Sequence, residues 1–311
     1  MADRTTALGG EAGAAAPLGA VYAALLAQTA ISAGTYLAAK QAMVDLRPLE
    51  LVMARFATSG IVFVLLLAVL PGPALPPKEA RLRVFLLGVL AGPLNQGFFF
   101  FGLDHSTAAH AALLYALTPL GVYLYLVWRG EAVISRTRVL GIGVAFIGVV
   151  MLLLGRGLRA AIGPLWGDAL ILVAVAAWVL YTAEGRVLIE RYGAFRATAW
   201  TMTVASFVSV PFAPLVVHLP HFTQASHLTW WMIVYLGLAT SVISYILWYF
   251  ALSRLEASKV AVFANLQPAA TALAAWALLG EPLTWEIFAG GALVIAGVRI
   301  TQRRTSPPAL R

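Results

Sequence analysis

The sequence predicts an all-α membrane protein of ten transmembrane helices, arranged as two inverted repeats of five helices each. This prediction depends on the composition, the number of apolar segments and a stretch of sequence that recurs. Hydrophobic residues make up 61% of the chain and charged residues 11%, against about 25% charged in an average soluble domain. A soluble fold of 311 residues cannot bury so many apolar side chains. Lipid must therefore be the solvent.

Ten apolar segments follow one another, each close to the roughly 20 residues that cross about 30 Å of hydrocarbon. The first lacks a strongly basic leading region, so we expect a retained helix rather than a cleaved signal. The fifth and tenth are short and rich in glycine. The predicted spans are Pro17 to Ala39, Pro48 to Leu70, Val84 to Leu103, Thr107 to Trp128, Val139 to Leu154, Leu165 to Val187, Ala194 to Val217, Leu228 to Leu252, Ser258 to Leu279 and Leu283 to Ile300.

The second half of the chain repeats the first. The stretch from Phe101 to Pro119 aligns without a gap on Phe250 to Pro268, 149 residues later. Five spans in each half make the second copy enter the membrane from the opposite side, so a pseudo-twofold axis in the membrane plane relates the halves. Such halves can exchange conformations, which is the basis of alternating access. After one gap, the further matches are Gly130-Glu131 with Gly280-Glu281, Gly141 with Gly290 and Gly148 with Gly297.

The repeat and the spans divide the chain into five parts. We expect the first five-helix repeat over residues 17–155 and the second over 164–301, joined by an external linker at 156–163. Residues 1–16 and 302–311 form cytoplasmic tails. Of the 21 lysines and arginines, 16 lie on the side that contains both tails, and Arg55 lies within a span. Positive residues favour the cytoplasmic side, so both termini are predicted to be cytoplasmic.

Several motifs resemble those of the EamA-type transporters of the drug/metabolite transporter superfamily. The resemblance implies a ten-helix inverted-repeat fold in a bacterial inner membrane that moves small metabolites, with export favoured over uptake. It implies no single substrate. The motifs are Lys40 to Phe56 with its Arg55-Phe56, Pro119 followed by Gly130-Glu131, Gly167-Asp168, Gly237 with Thr240, and Pro268 followed by Gly280-Glu281-Pro282.

Polar side chains that cannot reach the membrane surface form a candidate substrate site. Gln28, Ser32 and Tyr36 recur every four residues and therefore share one face of the first helix. The alternative is hydrogen bonding between helices, worth about 0.6 kcal/mol per contact. The predicted substrate-binding residues are Gln28, Ser32, Tyr36, Arg55, Asn95, Gln96, Tyr115, Trp178, Tyr181, Ser244, Tyr245, Trp248, Asn265 and Gln267.

Arg55 lies about a third of the way along the second span from its predicted outer end. A charge at that depth costs at least about 2.5 kcal/mol unless it is paired or wetted, so Arg55 should face the bundle interior or a water-filled cavity. One interpretation is an electropositive element, shared with Lys40, that attracts a carboxylate. The alternative is a structural arginine that reaches the membrane surface or pairs with Glu50 or Asp45.

Two prolines, Pro119 and Pro268, fall near the middle of their spans at equivalent places in the repeat. Proline removes a backbone hydrogen bond from a helix. We therefore expect each proline to form either a gating hinge or a fixed structural kink.

Carboxylates and histidines do not indicate proton coupling, a metal site or an enzyme. None of the 13 acidic residues lies convincingly at mid-span, and His110 lies near the end of its span. His218 and His221 have the spacing of metal ligands, but their loop supplies no acid or cysteine. We therefore expect no metal and no cofactor. No nucleophile and base share a depth, which argues against catalysis.

The sequence thus predicts an alternating-access secondary transporter of small polar or amphipathic metabolites, amino acids or related compounds foremost, acting as an exporter, exchanger or facilitator. Two alternatives stay open: a passive channel-like facilitator and a proton-coupled drug/metabolite antiporter. The expected partners are a small-molecule substrate and the lipid bilayer, without nucleic acid. The chain is expected to be a monomer or a homodimer.

Overall fold

A computed structural model of the protein describes residues 17–105, 114–155, 165–279 and 285–302. A few side chains inside helices, including those of Tyr36, Lys40 and Pro268, lie outside the description. The described residues form helices and turns, without a β-strand. The α-helices are α1 Leu18–Ala42, α2 Pro48–Val69, α3 Arg81–Val89, α4 Phe98–Asp104, α5 Thr118–Trp128, α6 Arg136–Gly155, α7 Leu165–Ser209, α8 Ala213–Val216, α9 Leu219–Gln224, α10 His227–Tyr235, α11 Ser244–Leu252, α12 Ala257–Ala261, α13 Gln267–Leu279 and α14 Trp285–Gln302.

Within the described ranges, five helical stretches are long and apolar enough to cross a membrane. Wherever the predicted spans fall on described residues, the helix ends lie within a few residues of them. The predicted start of the fourth span, Thr107, lies outside the described residues. The five stretches are Leu18–Ala39, Pro48–Val69, Lys78–Asp104, Trp166–Val216 and His227–Leu252, and two shorter apolar helices are Thr118–Trp128 and Phe288–Thr301.

The long helix α7 consists of two helices separated at Gly193. The backbone of Gly193 has φ 78° and ψ 160°, a conformation that is adopted almost only by glycine. The break lies between the spans predicted to end at Val187 and to begin at Ala194. α7 occupies a central position, because α2, α3, α4, α5 and α11 all pack against it.

Two π-helices, Leu90–Gly97 and Leu236–Ile243, interrupt the α-helical winding. The first joins α3 to α4 and the second joins α10 to α11. A π-helix inserts extra backbone into a turn and is frequent at functional sites. Because it changes the direction in which later side chains point, apolar periodicity alone does not predict which residues meet. The two π-helices lie in spans that the repeat aligns.

Helices α6 and α14 pack backbone to backbone through glycines. A methyl group placed on Gly148 would lie 2.6 Å from the carbonyl oxygen of Gly290, and one on Gly297 would lie 2.5 Å from that of Gly141. Lipid supplies no hydrophobic drive for helices to associate, so close van der Waals contact of this kind stabilises the pair. Glycine at these positions therefore lets the two backbones approach closely.

We expect Gly148→Val to disrupt this helix pair, because the new side chain would meet the backbone of α14. Overpacking costs about 1–3 kcal/mol and sometimes more. The matched control is Gly143→Val on the same helix, where nothing lies within 4 Å of an added Cβ. Thermal unfolding in detergent should give a lower Tm for Gly148→Val and a nearly unchanged Tm for the control. Equal Tm values for the two variants would contradict the packing described.

Candidate functional site

Arg55 is buried inside the helix bundle, with 5% of its surface exposed. Its Nε donates to Ser241 Oγ at 2.5 Å, and its Nη1 donates to Gln96 Oε1 at 2.8 Å. The two acceptors belong to the two π-helices. The Tyr115 and Tyr245 rings lie near the same guanidinium. Arg55 therefore faces the interior of the bundle, as its depth in the sequence predicts.

Within the described part of the chain, no carboxylate forms an ion pair with Arg55. The two acids that the sequence offered as partners are engaged elsewhere. Glu50 accepts from the backbone N–H groups of Arg47 and His218, at 2.8 and 2.9 Å. Asp45 accepts from Thr229 Oγ1 at 2.6 Å and from the Ser226 side chain and backbone, and these hydrogen bonds lower the pKa of Asp45. Arg55 thus keeps its charge in the bundle with neutral acceptors only.

A row of amides extends from Arg55 into the centre of the fold. Gln96, whose carbonyl oxygen accepts from Arg55, donates through its Nε2 to Asn95 Oδ1. The Asn95 Nδ2 in turn donates to Tyr115 Oη and to the Ala174 carbonyl oxygen, both at 2.8 Å. Asn95 is 1% exposed, so these bonds supply the partners that a buried amide requires. The row connects α2, the first π-helix and α7.

A second polar group joins α1 to α11. Gln28 Nε2 donates to Ser32 Oγ at 2.9 Å and to Ser244 Oγ at 3.2 Å, and the two serine oxygens lie 3.3 Å apart. The Gln28 Oε1 is buried and has no hydrogen-bond partner among the described residues. The side chain of Tyr36, predicted to share this face, lies outside the described residues. A buried acceptor without a donor is a place where a ligand can bind.

Four aromatic residues from α7 and α11 form a cluster beside these polar groups. Trp178 stacks on Tyr181 with ring centroids 5.4 Å apart, and it contacts Tyr245 and Trp248 at 5.5 Å each. Tyr245 therefore belongs both to the aromatic cluster and to the surroundings of Arg55. The indole N–H of Trp248 is buried, and the described part of the chain offers it no acceptor.

Asn265 and Gln267 lie apart from these groups as far as hydrogen bonds are concerned. Asn265 is fully buried, and neither its amide nitrogen nor its amide oxygen has a partner among the described residues. Gln267 is half-buried. The structure thus joins Arg55, Asn95, Gln96 and Tyr115 in one network, but it does not link Asn265 to them by a hydrogen bond.

Both predicted hinge prolines lie in the first turn of a helix rather than inside a continuous one. Pro119 is buried near the start of α5, after a turn in which the Leu117 N–H bonds to the Leu114 carbonyl. Pro268 follows Gln267, the first residue of α13, after a short 3₁₀ helix. Proline suits this position because the first N–H groups of a helix have no partner within it. The α-helical winding therefore begins anew close to each proline, after a turn at Pro119 and after 3₁₀ winding at Pro268.

The sequence analysis missed Glu184, which connects three helices at the end of the bundle where α3 begins. Its carboxylate lies 2.5 Å from Arg83 Nη2 and accepts a hydrogen bond from Tyr125 Oη at 2.5 Å. Arg129 Nε lies 3.9 Å away. Because Glu184 is near the end of a predicted span, the sequence signal was that of an ordinary surface residue.

A cleft of about 450 Å³ opens between α3 and α7. Arg83, Glu184 and Tyr192 are among the residues that line it, and none of the predicted substrate-binding residues does. In this conformation Arg55, Asn95, Gln96 and Tyr115 contact one another instead, as do the four residues of the aromatic cluster. The cleft and the buried polar groups are separate features.

An all-helical bundle with lipid-length helices and a buried polar interior is the architecture of a membrane transporter. The sequence model of the EamA-like transporter family matches residues 18–154 and 165–302. The chain therefore belongs to the EamA-like transporter family, and it is a multi-pass membrane protein. The resemblance drawn from its motifs is confirmed.

Curated relatives are named as transporters rather than enzymes. An uncharacterized transporter of Archaeoglobus fulgidus is 28% identical over 86% of this chain and 94% of its own length. The probable terminal-alkyne amino-acid exporter of Streptantibioticus cattleyicolor is 29% identical over 77% and 80%. The threonine/homoserine exporter RhtA of Escherichia coli is 29% identical over 74% and 75%. A crystal structure with a TM-score of 0.76 and 18% identity covers 91% of this chain and 97% of its own, and supports the same fold.

We expect Arg55→Leu to leave the stability of the protein nearly unchanged. The substitution removes a buried charge that has only neutral partners, which offsets the loss of a donor for Gln96. The free energy of unfolding should change by about 1 kcal/mol or less, against about 3–5 kcal/mol when a buried ion pair is broken. Thermal unfolding in detergent measures the change. A loss of several kcal/mol would instead make Arg55 a structural residue.

Proposed function

We propose that this protein is an alternating-access carrier that exports small metabolites bearing a carboxylate, and that amino acids are its substrates. The observation that carries the proposal is the guanidinium of Arg55, buried in the bundle without an acid among the described residues. Such a charge in a membrane protein marks a substrate pathway more often than a structural contact. The carboxylate of a substrate is the partner that the described fold does not supply.

Substrate binding would replace one of two neutral acceptors of Arg55 with a charged acceptor. Arg55 now donates to a serine hydroxyl through Nε and to an amide oxygen through Nη1. A carboxylate can accept from one of these nitrogens and from the neighbouring Nη2 at once, and charge-assisted hydrogen bonds are roughly twice as strong as neutral ones. Ser241 Oγ also donates to the Leu236 carbonyl oxygen at 3.0 Å, and this bond can remain when Arg55 turns to the substrate. The exchange therefore leaves Ser241 with a hydrogen bond.

The ammonium and side chain of an amino acid would find complementary groups one helical turn away. Ser241, which contacts Arg55, and Ser244, which contacts Gln28, are three residues apart, or about 4.5 Å along a helix. Gln28 Oε1 is an unpaired buried acceptor, suited to an ammonium group. The aromatic rings of Trp178 and Tyr245 would hold the apolar part, and the ring faces also attract a cation.

Alternating access is supported by the way in which the two halves meet. The repeat aligns Gly141 with Gly290 and Gly148 with Gly297, yet in space Gly141 meets Gly297 and Gly148 meets Gly290. This crossed pairing is what a twofold axis between antiparallel helices produces. We therefore propose two inverted five-helix repeats with cytoplasmic termini. The contacts at the two ends of the bundle would then break alternately. At one end these are the contacts of Glu184 with its partners, and at the other those of Asp45 with Ser226 and Thr229.

The names of two relatives support amino acids and export. One is named as an exporter of threonine and homoserine and the other as a probable exporter of terminal-alkyne amino acids. Both names describe zwitterions that carry the carboxylate that Arg55 requires. The aromatic cluster around Trp178 favours an amphipathic side chain over a strongly polar one.

We expect Arg55→Leu to lower counterflow of amino acids into proteoliposomes by roughly ten- to a hundredfold, because a hydrogen bond to a charged group contributes about 1.5–3 kcal/mol. Arg55→Lys should retain part of the activity, since it keeps the charge but loses the planar fork. The assay screens a panel of amino acids. Each one is loaded unlabelled at saturating concentration inside the vesicles, and entry of its labelled form from outside is measured.

The matched control is Arg254→Leu, which removes an exposed arginine that contacts Phe250. It should transport as the unmodified protein does. Equal transport by Arg55→Leu and Arg254→Leu would refute the role assigned to Arg55. Flux that does not saturate and shows no counterflow would favour the channel-like alternative.

Coupling to protons is not expected to drive transport. A proton-driven carrier usually needs a carboxylate that titrates in mid-membrane, and among the described residues none lies beside Arg55. A pH step imposed on proteoliposomes at zero membrane potential should therefore not concentrate a zwitterionic amino acid. Concentrative accumulation that is lost on replacing His110 or Glu281 would instead support the proton-coupled antiporter.

A further inference from the structure

Three possible metal ligands converge at the end of the bundle where α2 begins. His218 immediately precedes α9, His221 lies within α9, and Glu50 lies in the first turn of α2. One ligand atom from each of the three lies within 4.8 Å of the others. The segment around the two histidines contains no acid, but Glu50, which lies far earlier in the chain, provides a carboxylate. We propose that these three residues bind a first-row divalent metal ion, with Zn²⁺ as the best fit.

Glu50 is held in place before any ion binds. Its side chain is fully buried, and two backbone N–H groups, those of Arg47 and His218, donate to its two oxygens. A buried carboxylate requires such partners because its desolvation is costly. The two bonds fix the direction of the carboxylate toward the histidines. This fixed direction is what distinguishes the group from an accidental meeting of surface side chains.

His221 Nδ1 now hydrogen-bonds to both Glu50 oxygens, at 2.9 and 3.0 Å, so an ion would replace this contact and move the ligand atoms slightly apart. The Nδ1 atom of His221 lies 2.9 Å from Glu50 Oε1, and that of His218 lies 3.3 Å from the same oxygen. Bonds of about 2.0–2.2 Å in a tetrahedral zinc site leave neighbouring ligand atoms about 3.3 Å apart. His218 Nδ1 also lies 3.3 Å from the Val216 carbonyl oxygen, which it would leave by a small rotation.

The ligand types select among metals. Two imidazoles and one carboxylate suit zinc, copper and nickel, whereas magnesium and calcium prefer oxygen ligands alone. Two histidines and a glutamate are also a known zinc ligand set, with water in the fourth position. The side chains of His218 and His221 are 50% and 33% exposed. An ion can therefore reach the site from solvent, and a water molecule can complete the coordination.

A bound ion would connect α2 to the start of α9. Arg55 follows Glu50 by five residues on the same helix, so zinc would restrain the element that presents the guanidinium. This consequence for transport rests on the proposed function, and we expect micromolar Zn²⁺ to slow amino-acid counterflow. Binding itself does not depend on transport and is measured separately.

The experiment measures Zn²⁺ binding to the purified full-length protein in detergent, with any affinity tag removed, by isothermal titration calorimetry. One Zn²⁺ per chain should bind. The double variant His218→Ala/His221→Ala should lower the affinity for Zn²⁺ by more than about 100-fold. Loss of a residue that only hydrogen-bonds to a metal ligand lowers metal affinity by roughly 10–100-fold. The control, His227→Ala, removes an exposed histidine that lies at the start of α10 outside this cluster and should bind as the unmodified protein does.

A second measurement needs no variant. X-ray absorption spectra of the zinc-loaded, unmodified protein should fit two imidazoles and oxygen ligands at about 2.0–2.2 Å. Absence of saturable binding, equal binding by the double variant, or a spectrum without imidazole would each overturn the proposal. If zinc binds as described while Arg55→Leu transports normally, the metal site stands and the proposed function fails.

Discussion

A guanidinium in a bilayer has to obtain its hydrogen bonds from the protein, and this constraint shapes the interior of the fold. Arg55 is 5% exposed and lies on a helix whose outer face meets lipid. Two π-helices bring one acceptor each, Gln96 and Ser241, within 2.8 Å of its nitrogens. These neutral groups lower the cost of burying the charge without cancelling the charge. The bundle therefore keeps a positive centre that a substrate anion can complete.

The remaining buried polar groups lie next to that positive centre and hold its neighbours in place. Asn95 holds Gln96 in position and is itself bound to the backbone of α7 at Ala174. On the other side, Ser244 hydrogen-bonds to Gln28 and lies at the start of α11, which directly follows the π-helix that carries Ser241. In the proposed function, serines spaced one turn apart would align Arg55, which binds the carboxylate, with Gln28 Oε1, which binds the ammonium group. A zwitterion fits this alternation of charge better than an anion without an ammonium group does.

Much of the fold can be predicted from hydropathy, because a lipid solvent requires long apolar helices and leaves few other possibilities. The depth of Arg55 in its span likewise indicates an interior position. The contacts of Arg55 were less accessible to sequence reasoning. They depend on two π-helices, which shift the register by a fraction of a turn at Leu90–Gly97 and Leu236–Ile243. A periodicity of 3.6 residues contains no signal for such a shift.

The sequence alone also does not predict which residues far apart in the chain contact one another. Glu50 meets His221 across 171 positions and Glu184 meets Arg83 across 101, and nothing in the local pattern distinguishes these acids from others near span ends. Glycines were easier to interpret. Gly148 and Gly297 stand in short apolar segments where close backbone packing is the main use of a residue without a side chain. Their crossed contacts with Gly290 and Gly141 then connect the sequence repeat to an arrangement in space.

The most direct test of the account is a structure of the protein in lipid nanodiscs with a transported amino acid bound. The account predicts that the substrate carboxylate contacts the Arg55 guanidinium in place of Gln96 or Ser241, with the ammonium group at Gln28 Oε1. A substrate bound in the cleft between α3 and α7, or one that leaves the Arg55 hydrogen bonds intact, would contradict it.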